Sequence, residues 1–238
     1  MLKIEKLVKA YGDKLVLHGI DLEIKAGEIY GFIGKNGAGK TTTIKCVMGL
    51  LDYDQGNIFI DGKNTREEPL ACKQVAAYIP DNPRLYEFLT GSEYINFVAD
   101  IYGVSEQDRT DRAMRLAKVF DLQGDLGSKI STYSHGMKQK LAIIAALVHD
   151  PKLLILDEPF VGLDPTSTHF LKELFKQMVA NGAAIFFSTH VLEVAQNLCH
   201  KVAIIKDGQI VKEGVTKDVV QDSSLEDIFL DLMGYENE

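Results

Sequence analysis

No stretch of this chain is long and apolar enough to cross a bilayer. The longest unbroken apolar run, Leu141 to Val148, falls far short of the roughly 20 residues a spanning helix needs. Cysteine is scarce. Cys46, Cys72 and Cys199 are an odd number at scattered positions, which excludes a disulfide framework and any metal-ligating spacing and fits small core residues in a reducing compartment. A basic excess is also missing: the net charge is −8, so the global balance gives no footprint for nucleic acid. Repeats and low-complexity tracts are absent. The first residues, Met1-Leu2-Lys3-Ile4-Glu5-Lys6, carry charge where a secretion signal would be apolar. Together these absences predict a cytosolic protein. Its 238 residues, 46% hydrophobic, suffice for one large domain or two small ones with a sizeable core.

What is present is concentrated in Gly34-Lys35-Asn36-Gly37-Ala38-Gly39-Lys40-Thr41. These residues spell G-x-x-x-x-G-K-[ST], a phosphate-binding loop, and they stand in the context that gives the pattern meaning. Glu28 to Ile33 reads as a short buried strand before them, and Thr42 to Met48 as a helix after them. The glycines let backbone N–H groups turn inward around an anion while the helix directs its positive end at the same point. Asn36, Gly37, Ala38, Gly39, Lys40, Thr41 and Thr42 are therefore the predicted phosphate contacts. Lys40 should reach the outer phosphates, and the Thr41 hydroxyl should ligate Mg²⁺.

The rest of the chain alternates in character. Leu2–Val8, Leu15–Ile24, Glu28–Gly34 and Asn57–Asp61 read as strands, with turns at Gly12-Asp13, Ala26-Gly27 and Asp61-Gly62. Ser92–Tyr102, Glu106–Phe120 and Ser134–Val148 show helical spacing of apolar residues. Leu153–Asp157 is a near-continuous apolar strand of the kind found in parallel sheets covered on both faces. Asp164-Pro165 caps a helix that ends at Asn181-Gly182, and Ala183–Ser188 is another buried strand. Val202–Lys206 and Gln209–Glu213 flank Asp207-Gly208 as a hairpin. Ser224-Leu225-Glu226-Asp227 is a capping box that opens a short amphipathic helix.

Leu153-Leu154-Ile155-Leu156-Asp157-Glu158 completes the logic of the loop: four aliphatics run into two carboxylates. Asp157 is placed to hold Mg²⁺ through water, and Glu158 to orient or deprotonate the attacking water. At this point essentially the whole chain resembles the ATP-binding subunit of an ABC transporter. Tyr11, in Val8-Lys9-Ala10-Tyr11-Gly12, resembles the family's adenine-stacking aromatic; the other reading is a ring packed on the sheet edge. Ser134-His135-Gly136-Met137-Lys138-Gln139 resembles the signature Leu-Ser-Gly-Gly-Gln, Phe160-Val161-Gly162-Leu163-Asp164 the D-loop, and His190 in Ser188-Thr189-His190 the switch histidine. The remaining histidines highlighted here, His18, His149, His169 and His200, carry no functional expectation.

The resemblance implies an α/β fold of the P-loop NTPase class, a RecA-like core with an antiparallel β subdomain and an inserted α-helical subdomain. On this reading 1–83 and 150–215 form the ATP-binding core, 84–149 the helical subdomain with the signature, and 216–238 a C-terminal helical tail. It further implies ATP and Mg²⁺ as ligands, with Thr41, Asp81 and Asp157 around the metal and Glu158 and His190 catalytic. Ser134, His135, Gly136 and Met137, with Asp164, would act on the ATP of a partner subunit. The implied partners are a second copy or a similar ATPase, joined through ATP, and an integral-membrane permease that holds the protein on the inner face of the cell membrane. Three departures stand out. Asp81 occupies the usual Q-loop glutamine position, with Asn82 beside it as a possible amide donor. His135 replaces a signature glycine, and Met137 its glutamine. These variants and the Leu225-Glu226-Asp227-Ile228-Phe229 tail look like export-type ABC-2 systems moving a drug, peptide or lipid-like substrate. A soluble ABC ATPase of repair, translation or iron–sulfur assembly is the alternative, and a phosphoryl-transfer kinase a third reading that leaves the signature and D-loop unexplained.

Overall fold

The computed structural model describes residues 1–221 and 223–234. Strands β1 (Leu2–Tyr11) and β2 (Lys14–Ile24) form an antiparallel hairpin, and β3 (Ile29–Ile33) leads into α1 (Lys40–Val47). β4 (Gln55–Ile60), the short β5 (Lys63–Asn64), α2 (Pro69–Gln74) and β6 (Ala76–Ile79) follow. The chain then turns helical through α3 (Gly91–Ile101), α4 (Glu106–Val119), a 3₁₀ turn (Ile130–Thr132) and α5 (His135–Leu147). It returns to β7 (Leu153–Asp157), α6 (Pro165–Ala180), β8 (Ala184–Thr189) and α7 (Leu192–Leu198). The hairpin β9 (Lys201–Lys206) and β10 (Gln209–Val215) comes next, followed by α8 (Thr216–Val220) and α9 (Leu225–Leu232).

Two sheets result. One is antiparallel, ordered β2-β1-β4-β5. The other is ordered β10-β9-β3-β8-β7-β6, parallel throughout except for the β9–β10 hairpin. The parallel strands are buried on both faces, and their alternation divides the core. Tyr30 and Phe32 of β3, Leu153 and Ile155 of β7 and Phe186 of β8 face the antiparallel sheet, where they meet Leu2, Ile4, Leu17 and Ile58. Ile29 and Ile33, Leu154 and Leu156, and Phe187 face the other way, into a core shared with Ile95, Leu116, Phe120, Ile143 and Phe175 of the helices. A period of two side chains per repeat explains the split, and apolar-throughout strands are what a doubly covered parallel sheet requires.

The helix starts follow side-chain chemistry. Thr90 and Glu93 form a capping box on α3, Ser105 caps α4, Ser134 caps α5, Asp164 caps α6 with Pro165 behind it, and Ser224 and Asp227 box α9. Each oxygen satisfies an N–H that the first turn leaves open. The Asp61-Gly62 and Asp207-Gly208 turns both place an Asp–Gly pair at positive φ, the geometry that matches strand twist in a tight hairpin. Several elements lie outside the sequence expectation. α2, β6, α7 and α8 span only four to seven residues each, too few to display a period. β1 runs past Val8 to Tyr11, because register shifts between Ile4 and Leu7, between Leu7 and Val8 and between Lys9 and Ala10 let the strand bend and continue.

Because β3, β6, β7 and β8 are parallel, their C-terminal ends share one edge of the sheet. The loop 34–39, Asp81, Asp157-Glu158 and His190 all follow those ends. This is where open α/β sheets bind ligands. Among the described residues no helix is long and apolar enough to cross a membrane.

Candidate nucleotide site

Asn36, Gly37, Gly39, Lys40, Thr41, Thr42, Asp81, Asp157 and Glu158 line one cavity of about 300 Å³, together with Lys35. Two of the loop glycines have no room for a side chain. A Cβ on Gly34 would lie 2.6 Å from the Ile205 carbonyl oxygen, and Gly39, at φ +111°, would meet Leu17. Ala38 is buried, and its carbonyl accepts from Gly208 N at 3.0 Å. Ala38 N donates to Lys35 O at 3.1 Å, so the loop is pinned both within itself and from outside.

Lys40 is 6% exposed. Its ammonium donates to the Gly34 carbonyl at 2.7 Å and lies 3.7 Å from Glu158 Oε1. Burial pushes this lysine below its ordinary pKa, opposed by the charges of Glu158 and Asp157. Thr41 Oγ1 donates to Asp157 Oδ2 at 2.6 Å. The other oxygen of Asp157 accepts from Ser188 Oγ, and Ser188 in turn accepts from Glu158 N at 3.2 Å. The in-register pairing of Asp157 with Ser188 across β7 and β8 makes this possible. Glu158 takes a left-handed φ of +50° at the strand end, which turns its side chain toward Lys40 and His190. His190 Nδ1 is 3.0 Å from Glu158 Oε2, and His190 N donates to the same oxygen at 3.3 Å.

Among the other expected residues, Tyr11, the segment 134–137 and Asp164 do not line this cavity. Tyr11 ends β1 at the hairpin tip, half exposed, with the Lys9 ammonium 5.5 Å from its ring centre. Asp81 lines the cavity, and its Oδ1 accepts from Asn82 N at 2.8 Å. Ser134, His135, Gly136 and Met137 sit at the start of α5, where Ser134 Oγ accepts from Met137 N at 3.3 Å. His135 and Gly136 approach Gly162 instead: a Cβ on Gly136 would lie 3.1 Å from Gly162 O, and one on Gly162 would lie 2.8 Å from the His135 ring. Asp164 caps α6 through Ser167 and pairs with Lys140 at 2.9 Å. Sequence reasoning passed over Ser188, which holds both Asp157 and Glu158. Its signal was a polar residue at the end of an apolar strand, two places before His190.

A family model described as "ABC transporter" matches residues 17–161. The chain belongs to the ABC transporter family. Among curated ABC relatives, it is 37% identical over 219 residues to the linearmycin resistance ATP-binding protein LnrL of Bacillus subtilis (strain 168), covering 92% of this chain and 70% of that one. It is 35% identical over 213 residues to the Nod factor export ATP-binding protein I of Burkholderia orbicola (strain AU 1054), covering 90% and 70%. A solved structure described as the ATP-binding subunit of an ABC transporter superposes with a TM-score of 0.94 at 36% identity, covering 98% of this chain and 99% of the other. The protein is therefore an ABC ATPase with a P-loop NTPase fold, an ATP-binding subunit that serves a transporter. No finding supports the soluble repair, translation or iron–sulfur reading. A solved structure described as cbiO1 from Clostridium perfringens, part of an ABC transporter complex, superposes with a TM-score of 0.78 at 29% identity, covering 92% of this chain and 89% of the other.

Proposed function

We propose that this subunit hydrolyses ATP to drive export through a separate permease, with the following division of labour. Lys40 leaves the Gly34 carbonyl and Glu158 to take the outer phosphates, which the loop N–H groups of 36–42 also hold. Thr41 and Asp157 fit Mg²⁺: the Thr41 hydroxyl would ligate the ion directly, and the Asp157 carboxylate, 2.6 Å from that hydroxyl, would hold it through water, in keeping with an ion that retains several waters beside phosphate. When bound there, Mg²⁺ would neutralise charge on the phosphates. Asp81, which lines the same cavity, would meet the same ion directly or through water. Glu158 accepts the proton of the attacking water, and His190, with its proton on Nδ1, keeps that carboxylate aimed. Tyr11 stacks on the adenine.

Ser134, His135, Gly136 and Met137, with Asp164, reach the ATP held by Lys40 of a second subunit in a head-to-tail pair. Their place outside their own chain's cavity supports that reading. The permease docks on the segment Pro83–Leu89 and holds the protein at the inner face of the membrane. Export is supported by the printed name of the Nod factor export relative, and by the Tyr133-Ser134-His135-Gly136-Met137 variant with Asp81.

One observation carries the proposal: Lys40, Thr41, Asp157, Glu158 and His190 are joined by contacts of 2.6 to 3.7 Å on one sheet edge. Nucleotide binding and phosphate release measured on three variants test it. Lys40→Ala should lose ATP affinity. Glu158→Gln should keep affinity and lose roughly 10²–10⁴-fold in turnover, the range of a positioned base. Asp81→Ala should weaken Mg²⁺-dependent hydrolysis and spare ADP affinity. Parent-rate hydrolysis by Glu158→Gln would remove the base assignment, and unchanged Mg²⁺ dependence in Asp81→Ala would move that role to Asn82 or water.

A further inference from the structure

Asp164 holds two parts of the chain at once. Its Oδ1 accepts from Ser167 N at 2.8 Å and its Oδ2 from Ser167 Oγ at 2.6 Å, which fixes the start of α6. The same Oδ2 lies 2.9 Å from the ammonium of Lys140, one and a half turns into α5 from Ser134. Exposed ion pairs contribute little because both side chains stay mobile. Here Asp164 is 47% exposed but Lys140 only 16%, and the carboxylate is already oriented by a cap, so less freedom is lost in forming the pair. Hydrogen bonds from Ser167 and then Lys140 hold Asp164 well below the usual carboxylate range, so the pair stays charged across the neutral range. The contact of His135 and Gly136 with Gly162 adds a steric seam between the same two segments.

We propose that Lys140 is a positioning residue for ATP hydrolysis in the partner subunit. By pairing with Asp164 it locks the start of α5, with Ser134 and Gly136, to the 158–164 loop that carries Glu158. The face offered to the partner's ATP and the chain's own proton acceptor then move as one body. The inference rests on the head-to-tail reading above. Lys140 does not line the nucleotide cavity, so its loss should leave a single chain's grip on nucleotide intact. It should instead misplace Ser134 relative to the partner's phosphates, and a displacement of about 1 Å at a reacting centre suffices to cost up to 10²-fold in rate.

The experiment compares Glu158→Gln with Glu158→Gln/Lys140→Met for ATP-dependent dimerisation by sedimentation. Lys140→Met and Lys140→Arg are compared with the parent for steady-state ATPase, ADP affinity and circular dichroism. The expected result is a roughly tenfold higher protein concentration for half-dimerisation with Lys140→Met, about 1.4 kcal/mol. ATPase should fall by a similar factor, with unchanged ADP affinity and spectrum, and Lys140→Arg should restore most of both. If Glu158→Gln dimerises with ATP and the Lys140→Met double variant does so equally, the inference is overturned while the head-to-tail reading stands. If Glu158→Gln itself stays monomeric at saturating ATP, the head-to-tail reading falls and takes the inference with it. Loss of ADP affinity or of the folded spectrum in both Lys140 variants would also overturn it, since the residue would then serve its own chain's fold.

Discussion

His149 has both ring nitrogens buried with no hydrogen-bond partner, and its ring stacks on Tyr102 with centroids 3.6 Å apart. Burial depresses its pKa from 6.5 to about 4. The Ala76 backbone and Asp150 favour the protonated form and Arg112 opposes it, but the Ala76 contact falls short of hydrogen-bond geometry. The folded pKa lies below the unfolded one, so the unfolded chain binds the proton more readily. The contribution is present in full above about pH 6.5 and is lost as pH falls toward about 4. After screening, the loss should be on the order of 1–2 kcal/mol. Urea midpoints for parent and His149→Leu between pH 7.5 and 4.5 check this: the variant should lose part of the parent's slope, and parallel profiles would refute the assignment. Such a role was invisible in the sequence, where His149 had no functional mark, because desolvation is set by residues far along the chain. Lys40, Thr41 and Asp157 were legible for the opposite reason. Their chemistry is written in consecutive residues, whereas Ser188 acts on Asp157 across 31 positions and Lys140 on Asp164 across two helices.

The hairpin turn Asp207-Gly208 shows the same division among elements. Its type was readable from the Asp–Gly pair between two apolar runs, but its duty was not. Gly208 N donates to Ala38 O, and His18 N donates to Gly208 O, each at 3.0 Å. The turn therefore ties the phosphate loop to β2. Gly208 stands at φ +75°, and a Cβ there would lie 2.1 Å from Val16 O. Gly62 is a natural control, at φ +79° with nothing within 4 Å of its Cβ position. Gly62→Ala should cost about 1 kcal/mol from backbone conformation alone. Gly208→Ala adds overpacking and should cost roughly 2–4 kcal/mol, and only it should weaken ADP binding. Urea denaturation and nucleotide titration of the two variants decide it, and equal effects on ADP affinity would mean that the turn does not support the loop. The long helices α3 to α6 were legible because they have room to show a period and carry Ser, Thr or Asp at their starts. β6 and α2 were not, since a four-residue strand between a short helix and Pro80 is defined by its pairing with β7 and not by its own pattern.

Across the whole molecule, the segment Pro83–Leu89 joins the nucleotide edge to the helical part, directly after Asp81. Leu85 and Leu89 pack against the core, so for them the ordinary packing role holds. Tyr86 and Phe88 do not share it. They are 50% and 72% exposed, 5.9 Å apart between ring centres, and Phe97 of α3 joins them 5.5 Å from Tyr86. Large apolar groups clustered at a surface mark contact sites. The cavity beside them is mixed, with Pro83, Leu85, Tyr94, Val98 and Ala146 next to Arg84 and His149, and supplies a recess for a helix-in-groove contact. The charge balance agrees, because cytoplasmic loops of membrane proteins carry excess Lys and Arg and this chain is −8 overall. Substituting Tyr86→Ala and Phe88→Ala together should leave the isolated subunit folded, with ATPase within about twofold of the parent, since exposed substitutions usually change stability by no more than about 0.5 kcal/mol. The same double variant should lose co-purification with its permease and lose transport. Unfolding or loss of ATPase in the isolated subunit would instead assign these rings to packing, and full retention of the complex would move the docking surface away from Pro83–Leu89.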